Sequence, residues 1–293
     1  MPDTPALSIF NRHRDRLFGI AYRMLGTVAD AEDVLQDVYL RWHQADQSAV
    51  QNAEAWLVAV TTRLSIDRSR AAATERERYV GSWLPEPIAT SAESVTDRNA
   101  ELASDLSMAF LVLLERLAPE ERAALLLRDV FDAGYDEIAR VLEKSESACR
   151  QMVHRARTRV RGERARFDVP VETKERLLEQ FLAALHADDR DAMMAVIAEE
   201  ATFAADGGGK VSAIRNVIHG ASKIARFLLG IESKWGSETR HVVQWINGEP
   251  AIVSYFGEQV FCTTSVESDG EHITAFYRVL NPEKLRHAAP VQS

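Results

Sequence analysis

The sequence predicts a multidomain protein, with two all-α domains in its first half and an α+β domain at its C-terminal end. Length is the first observation, because 293 residues exceed the roughly 100–200 residues of one ordinary domain. The second is helical periodicity from Ser8 to about Arg78 and again from Asp105. The third is a series of β-rich segments after Pro170, separated by hairpin signals at Asn247-Gly248 and Asp269-Gly270.

Composition excludes several classes of protein. With 46% hydrophobic and 27% charged residues, the chain is expected to be soluble and to bury real cores. We expect a cytoplasmic protein that does not contact membranes, since no apolar run reaches about 18 residues and the N-terminus lacks a signal-peptide pattern. Cys149 and Cys262 cannot form a disulfide framework, and we expect neither a metal nor a cofactor. The net charge of -9 means that any nucleic-acid binding must come from a local basic surface.

Three helices are predicted before residue 80. Gly26 ends the first, and Thr27 begins the second, whose apolar stripe leaves a neighbouring face of acids. That acidic face suits a basic protein partner, although such a face is often only a solvated surface; its residues are Asp30, Glu32, Asp33, Gln36 and Asp37. The third helix begins at the N-cap Asn52. It combines an aromatic side chain with charges in a way that suits melted DNA, through Trp56, Arg63, Asp67, Arg68 and Arg70. The alternative for Trp56 is a place in the core.

The helical periodicity is absent between Tyr79 and Ser104. Trp83-Leu-Pro-Glu-Pro87 is predicted to be extended because of its two prolines, and Thr90–Asn99 has the composition of a linker. We therefore predict domains at 1–80, 105–167 and 168–293, with a linker at 81–104.

A helix-turn-helix is the sharpest motif in the chain. Helices at Asp136–Leu142 and Ser147–Arg161 are joined by a short polar turn, so the second can enter a major groove. Its apolar face contains Cys149, Val153, Ala156 and Val160, and the opposite stripe contains Ser147, Arg150, Gln151, His154 and Thr158. Arg and Gln make bidentate contacts to base edges. Further arginines are expected to neutralise phosphates; these are Arg155, Arg157, Arg159, Arg161, Arg164 and Arg166. The alternative is a basic helix that is merely solvated.

Together these segments resemble the extracytoplasmic-function group of sigma-70 factors. The stretch Ala21–Asp37 resembles sigma region two, which binds the polymerase clamp, and Asn52–Leu57 with Ile66–Arg68 resembles the part that opens the −10 element. Leu117–Arg122 and the helix-turn-helix resemble region four, which reads the −35 element. The resemblance implies core RNA polymerase and promoter DNA as partners, with no catalytic residue.

Three further motifs resemble those of the subgroup with a fused SnoaL-like domain, an α+β cone. They are Trp83-Leu-Pro85-Glu-Pro87, Asp206-Gly207-Gly208-Gly209-Lys210 and Asn281-Pro282-Glu-Lys284-Leu285. The resemblance implies that this domain regulates the sigma regions in cis. We expect the glycine loop to reach the sigma core, with Asp206 and Lys210 as its charged ends, and the domain to brace the separation of regions two and four.

Two other functions remain open at this stage. A helix-turn-helix repressor with a ligand-sensing C-terminal pocket explains Ser147–Arg161 but gives the first three helices no role. The second alternative is an enzyme whose active site lies in the cone. Its candidate titratable residues are Asp206, His219, His241 and His272. An unknown small ligand in the pocket is compatible with all three functions.

Overall fold

The computed structural model describes residues 5–91, 106–164 and 169–289. The chain forms two compact units, which are treated one at a time below. One contains Met1–Glu77 and Leu113–Arg161, and the other contains Arg78–Val112 and Gly162–Ser293. Residues 92–104 of the predicted linker and Arg166 lie outside the described residues, and the side chains of Arg161 and Arg164 are not described.

The helices of the described residues fall where the periodicity predicts, with one exception. In chain order they are α1 (Pro5–Leu25), α2 (Val28–Gln44), α3 (Ala53–Arg76), α4 (Met108–Leu114), α5 (Pro119–Asp129), α6 (Tyr135–Leu142), α7 (Glu146–Arg164), α8 (Val171–His186), α9 (Arg190–Val196) and α10 (Ala221–Trp235). Strands of the described residues are β1 (Ile197–Asp206), β2 (Ile218–His219), β3 (Thr239–Ile246), β4 (Glu249–Phe256), β5 (Gln259–Ser268) and β6 (Ile273–Val279).

Local signals define the first three helices. Gly26 has a φ of 77°, the left-handed conformation that ends α1. The Thr27 side chain accepts from the Asp30 amide to begin α2, and the Asn52 side chain accepts from the Ala55 amide to begin α3. The buried Trp42 indole donates to the Ala6 carbonyl at 3.0 Å, which holds the start of α1 on α2. These contacts form the predicted helical bundle.

The second group of helices in this unit forms the predicted helix-turn-helix. Pro119 occupies the first turn of α5, as its missing N–H allows. Glu143 ends α6 with a φ of 54°, and the chain then turns directly into α7. The apolar face of α7 is buried, as predicted, through Cys149, Val153, Ala156 and Val160.

The second unit is built on a mixed sheet with helices packed on it. The strand order is β2-β1-β6-β5-β4-β3, in which β1 and β6 are parallel and the other neighbours are antiparallel. Leu178, Phe181 and Ile224, from α8 and α10, share a buried core with Phe203 and Phe276 of the sheet. Positive φ at Asn247 and Gly248 forms the predicted hairpin turn between β3 and β4. The predicted fold class is confirmed.

The sequence interpretation missed α10 and the two-residue strand β2. Buried Ile224, Ala225, Leu228 and Leu229 show that α10 carries an apolar helical stripe that the sequence pattern already contained. Strand β2 pairs with β1 through two residues only, so no alternation could have signalled it. Among the described residues, no helix combines the length and apolarity that crossing a bilayer requires.

Candidate nucleic-acid interface and linker site

The predicted reading face of α7 is open to solvent. Its exposed residues are Ser147, Arg150, Gln151, His154 and Thr158, opposite the buried apolar face. Arg150 pairs with Glu146 at 2.8 Å, and its guanidinium lies 4.9 Å from the Tyr135 ring centroid. Both contacts are at the surface, so this side chain can exchange them for a base edge at small cost. The geometry required for major-groove reading is present.

The flanking arginines differ from this stripe, because acids of α5 already bind them. Arg155 and Arg159 both donate to Glu121, at 3.0 and 2.5 Å. Arg157 donates hydrogen bonds from Nε and Nη2 to the Asp129 carboxylate, and these hydrogen bonds raise the pKa of the Arg157 guanidinium. Sequence spacing could not reveal these partners on another helix. Arg157 thus attaches α7 to α5 in this conformation.

Cys149 lies inside the helix-turn-helix, and burial raises the pKa of its thiol. A protonated, buried thiol is unreactive. This agrees with the expectation of a small core residue.

The side chains of α3 assigned to melted DNA are partly engaged inside the first unit. Trp56 is half-buried, with its ring centroid 5.3 Å from that of Trp42, so packing accounts for part of its role. Arg63 donates to the carbonyls of Val141 and Arg140, both at 2.8 Å. Arg70 pairs with Asp67 and with Glu120. The helix predicted to open DNA is thus held by residues of α5 and α6 in this conformation.

The acidic face of α2 is divided between paired and open groups. Arg68 of α3 pairs with Asp30 at 2.8 Å and with Asp33 at 2.6 Å, and Arg14 pairs with Glu32 at 2.7 Å. Gln36 and Asp37 are exposed. The assigned −10 residue Arg68 therefore neutralises two of the acids assigned to polymerase binding.

A buried polar cluster that the sequence interpretation missed links α5 to α1 and α3. Arg122, only 2% exposed, donates to the Met24 carbonyl and to Glu115, both at 2.6 Å. Arg76 pairs with the same Glu115 and donates to the Leu25 carbonyl at 2.6 Å. Two arginines thus donate hydrogen bonds to backbone carbonyls in the last turn of α1, which have no partner within the helix. Only the tertiary structure brings these residues together.

In the second unit, the three motifs that resemble those of the SnoaL-like subgroup meet at one buried carboxylate. Asp206, at the end of β1, is fully buried. Its Oδ1 accepts from the Tyr79 hydroxyl at 2.6 Å and the Gly208 amide at 3.0 Å. Its Oδ2 accepts from the Leu84 amide at 2.9 Å and the Lys284 ammonium at 2.8 Å. Residues 79–84, which include the start of the predicted linker and the end of the predicted first domain, are therefore part of this site.

Lys284 and Asn281 complete the linker site. The Lys284 ammonium also donates to the Leu84 carbonyl at 2.5 Å and lies 4.1 Å from the Trp83 ring centroid. Asn281 Nδ2 donates to the Tyr79 hydroxyl at 3.0 Å. Burial and the hydrogen bond to Asp206 raise the pKa of Tyr79, so its hydroxyl remains a donor.

The glycine loop has a different role from the one expected. Gly208 and Gly209 have φ of 60° and 68°, and a Cβ on Gly208 would lie 2.3 Å from Asn281 Nδ2. These glycines therefore allow the backbone to close around the Asp206 carboxylate. Lys210 forms an exposed pair with Glu283 at 3.0 Å. The Asp206 carboxylate, expected at a charged end of the loop, is buried among donors from Tyr79, Leu84, Gly208 and Lys284.

The rest of residues 85–91 runs along the same domain. The Ile88 amide donates to Asn247 Oδ1 at 2.9 Å, and the Ala89 amide donates to the His287 carbonyl at 2.7 Å. Pro85 is buried. Met108, at the start of α4 and a few residues past the predicted linker, shares an apolar cluster with Leu84. Residues on both sides of the linker's undescribed part thus belong to the second unit.

The four titratable groups considered for catalysis are not brought together. His219 is exposed on β2, His272 belongs to the hairpin before β6, and Asp206 binds the linker. His241 lies near His186 and Glu232, with ligand atoms within 4.8 Å of one another. Its two ring nitrogens contact Glu232 at 3.1 Å and Ser254 at 2.7 Å, so hydrogen bonding accounts for this cluster.

Comparison with known proteins gives matches to two segments of the chain and to relatives that cover most of its length. The family description "Sigma-70 region 2" matches residues 9–75, and "Sigma-70, region 4" matches residues 107–160. The "ECF RNA polymerase sigma factor SigJ" of Mycobacterium tuberculosis is 34% identical over 291 residues, which cover 95% of this chain and 93% of the relative. The "Probable ECF RNA polymerase sigma factor SigI" of the same species is 28% identical, with coverage of 96% and 95%.

A solved structure agrees with these sequence matches. The crystal structure of the Mycobacterium tuberculosis extracytoplasmic function sigma factor SigJ aligns with a TM-score of 0.76 at 31% identity. The alignment covers 98% of this chain and 100% of that one. The likeness therefore includes the α+β domain as well as the helical regions.

The pairing of Arg157 with Asp129 generates a stability prediction. We expect Arg157→Ala to destabilise the first unit by about 1–3 kcal/mol, because it removes a bidentate, charge-assisted contact. Arg150→Ala is the control, since its exposed pair with Glu146 contributes only about 0–0.5 kcal/mol. Urea denaturation followed by circular dichroism measures both. Equal losses in the two variants would contradict the structural role of Arg157.

Proposed function

This chain belongs to the extracytoplasmic-function RNA polymerase sigma factors, and from that premise we propose that its C-terminal domain regulates promoter recognition by holding the linker between the two sigma regions. The chain directs core RNA polymerase to promoter DNA, as sigma factors do. The repressor alternative is not favoured, because region two matches as well as region four. We assign the chain no catalytic step and place its action in the cytoplasm, where the chromosome is transcribed.

We assign promoter contacts according to the exposure of each side chain. Arg150, Gln151 and His154 form the −35 reading surface, because they are exposed on the open face of α7. Asn52, Arg63 and Arg70 are the −10 candidates that contact DNA once α5 and α6 have moved away. The exposed Gln36 and Asp37 are the first contacts with core polymerase.

The contacts inside the first unit imply that this conformation precedes promoter binding. Arg63 and Arg70 must exchange their contacts with the carbonyls of α6 and the carboxylate of Glu120 before their guanidinium groups can engage a phosphate fully. Regions two and four read elements about 25 base pairs apart, or about 85 Å of duplex, so they must separate. We infer that binding to core polymerase exchanges these internal contacts for polymerase and DNA contacts.

A single observation carries the regulatory proposal: the buried Asp206 holds residues 79–84, while Leu84 and Met108 share one apolar cluster. A free linker behaves as a flexible coil and cannot set the distance between its ends. A linker attached at both ends to a folded domain restricts that distance. Promoters whose −35 and −10 elements have one particular spacing are then favoured over others.

The −35 assignment generates a specificity prediction. We expect Arg150→Ala to weaken holoenzyme binding to a cognate promoter by about 1–3 kcal/mol, because a bidentate base contact is lost. Binding to a promoter with a scrambled −35 element should change little. Fluorescence anisotropy at fixed salt concentration measures both affinities. The same loss on both DNAs would mean that Arg150 contacts only the backbone.

The linker site generates a regulatory prediction. We expect Asp206→Asn to weaken the hold on the linker, because the Lys284 ammonium loses its anion and the Leu84 amide loses a charged acceptor. In transcription assays with core polymerase, this variant should lose spacer preference. Relative to transcription from the promoter with the optimal spacer, transcription from promoters whose spacer is one or two base pairs longer or shorter should rise several-fold.

Two further variants separate this effect from misfolding. Trp83→Ala acts from the linker side, leaves the Asp206–Lys284 pair intact, and should reproduce the loss of spacer preference. Lys210→Ala removes only the exposed pair with Glu283 and should behave as the unmodified protein. If both Asp206→Asn and Trp83→Ala keep the original spacer preference, the proposal fails.

A further inference from the structure

A cavity lies in the second unit between the sheet and α10. Its volume of about 680 Å³ falls in the range of about 300–1,000 Å³ that is usual for small-molecule sites. The wall is largely apolar and includes Phe203, Phe227 and Phe261. A cavity of this size and lining can enclose an organic molecule with an apolar body.

Arg278 of β6 is the unusual member of the wall. It is only 8% exposed, and it lines the cavity. One Nη donates to the Cys262 sulfur at 3.2 Å, and the buried Nε has no hydrogen-bond partner. Among the described residues, no carboxylate lies within 4.0 Å of this guanidinium. A buried cation without an anion costs free energy, and an anionic ligand would supply the missing partner.

The neighbouring polar groups limit the charge of such a ligand. Glu232 and His241 line the same cavity, and Glu232 accepts from His241 Nε2 at 3.1 Å. Burial lowers the pKa of His241, although the charge of Glu232 opposes that shift. Arg278 is therefore the buried cation of the wall, whereas Lys234, which also lines the cavity, is exposed, with its ammonium 5.2 Å from the Trp235 ring centroid. The Glu232 carboxylate repels a second negative charge. A monoanion fits better than a dianion such as phosphate.

The mouth of the cavity has an apolar rim. Trp235 and Phe256 line it and remain 45% and 50% exposed, although large apolar side chains are usually covered. These rings suit the apolar body of a ligand at the entrance. Arg278 lies farther inside the domain, where it can bind the charged head of the same ligand.

We propose that this cavity binds a small amphipathic monoanion, a carboxylic acid with an apolar body, whose carboxylate pairs with Arg278. The proposal is independent of the linker's role. The cavity nevertheless adjoins the linker site, since Ile214 lines it and the Ile214 carbonyl lies 3.6 Å from a Cβ built on Gly81. A bound ligand is therefore close enough to alter how residues 79–84 are held.

Decanoate and its uncharged counterpart decan-1-ol test the proposal on the full chain. Each competes with the fluorescent anion 8-anilinonaphthalene-1-sulfonate, and the fluorescence loss gives its affinity. We expect decanoate to bind the unmodified protein about tenfold or more tightly than decan-1-ol, because only decanoate supplies a charge for Arg278. Arg278→Gln should remove this preference. Arg278→Lys should retain part of it, because the cation is kept.

Controls separate a binding effect from damage to the fold. Arg240→Gln removes an exposed cation on strand β3 of the same sheet, outside the cavity, and should leave the preference intact. Arg278→Gln should not lower the melting temperature of the ligand-free protein, since it removes a buried charge that lacks an anion. Equal affinity of the unmodified protein for the two probes, no saturable binding of either, or an unchanged preference in Arg278→Gln would each overturn the proposal.

Discussion

The folded structure of the second unit depends on hydrogen bonds and an ion pair to one buried carboxylate, that of Asp206. Desolvating Asp206 and Lys284 costs several kcal/mol per ion, and this cost is recovered only if each charge is paired and hydrogen-bonded. Four donors surround the carboxylate: the Tyr79 hydroxyl, the Lys284 ammonium and the amides of Leu84 and Gly208. Two of the four come from the linker. The C-terminal domain therefore has a complete interior only when residues 79–84 are in place.

This constraint explains why three motifs far apart in the sequence belong to one site. The tryptophan–proline segment supplies donors and an aromatic face, and the glycine loop lets the chain pass close to the carboxylate. The segment Asn281–Lys284 supplies the ammonium and an amide donor to Tyr79. Further along, Leu84 and Met108 pack in one cluster, so the domain holds the linker near both its ends. The regulation that we propose therefore acts through the geometry of the linker.

The sequence predicted most of the fold because its local signals were strong. Gly26, Thr27, Asn52 and Pro119 mark helix ends through their own backbone chemistry, and Asn247-Gly248 determines a hairpin turn. The exposed stripe of α7 followed from helical periodicity alone. Contacts between distant segments could not be predicted in this way. The partners of Arg157 and Arg122 lie on other helices, and the burial of Asp206 depends on residues about 120 positions earlier in the chain.

Hydrogen exchange at the Leu84 amide in the free, full-length protein tests the central claim most directly. This amide donates to a fully buried carboxylate at 2.9 Å, so it can exchange only when the linker leaves the domain. The account predicts exchange slowed by roughly a hundredfold or more relative to an open chain, with protection lost in Asp206→Asn. Exchange at the open-chain rate in the unmodified protein would contradict it.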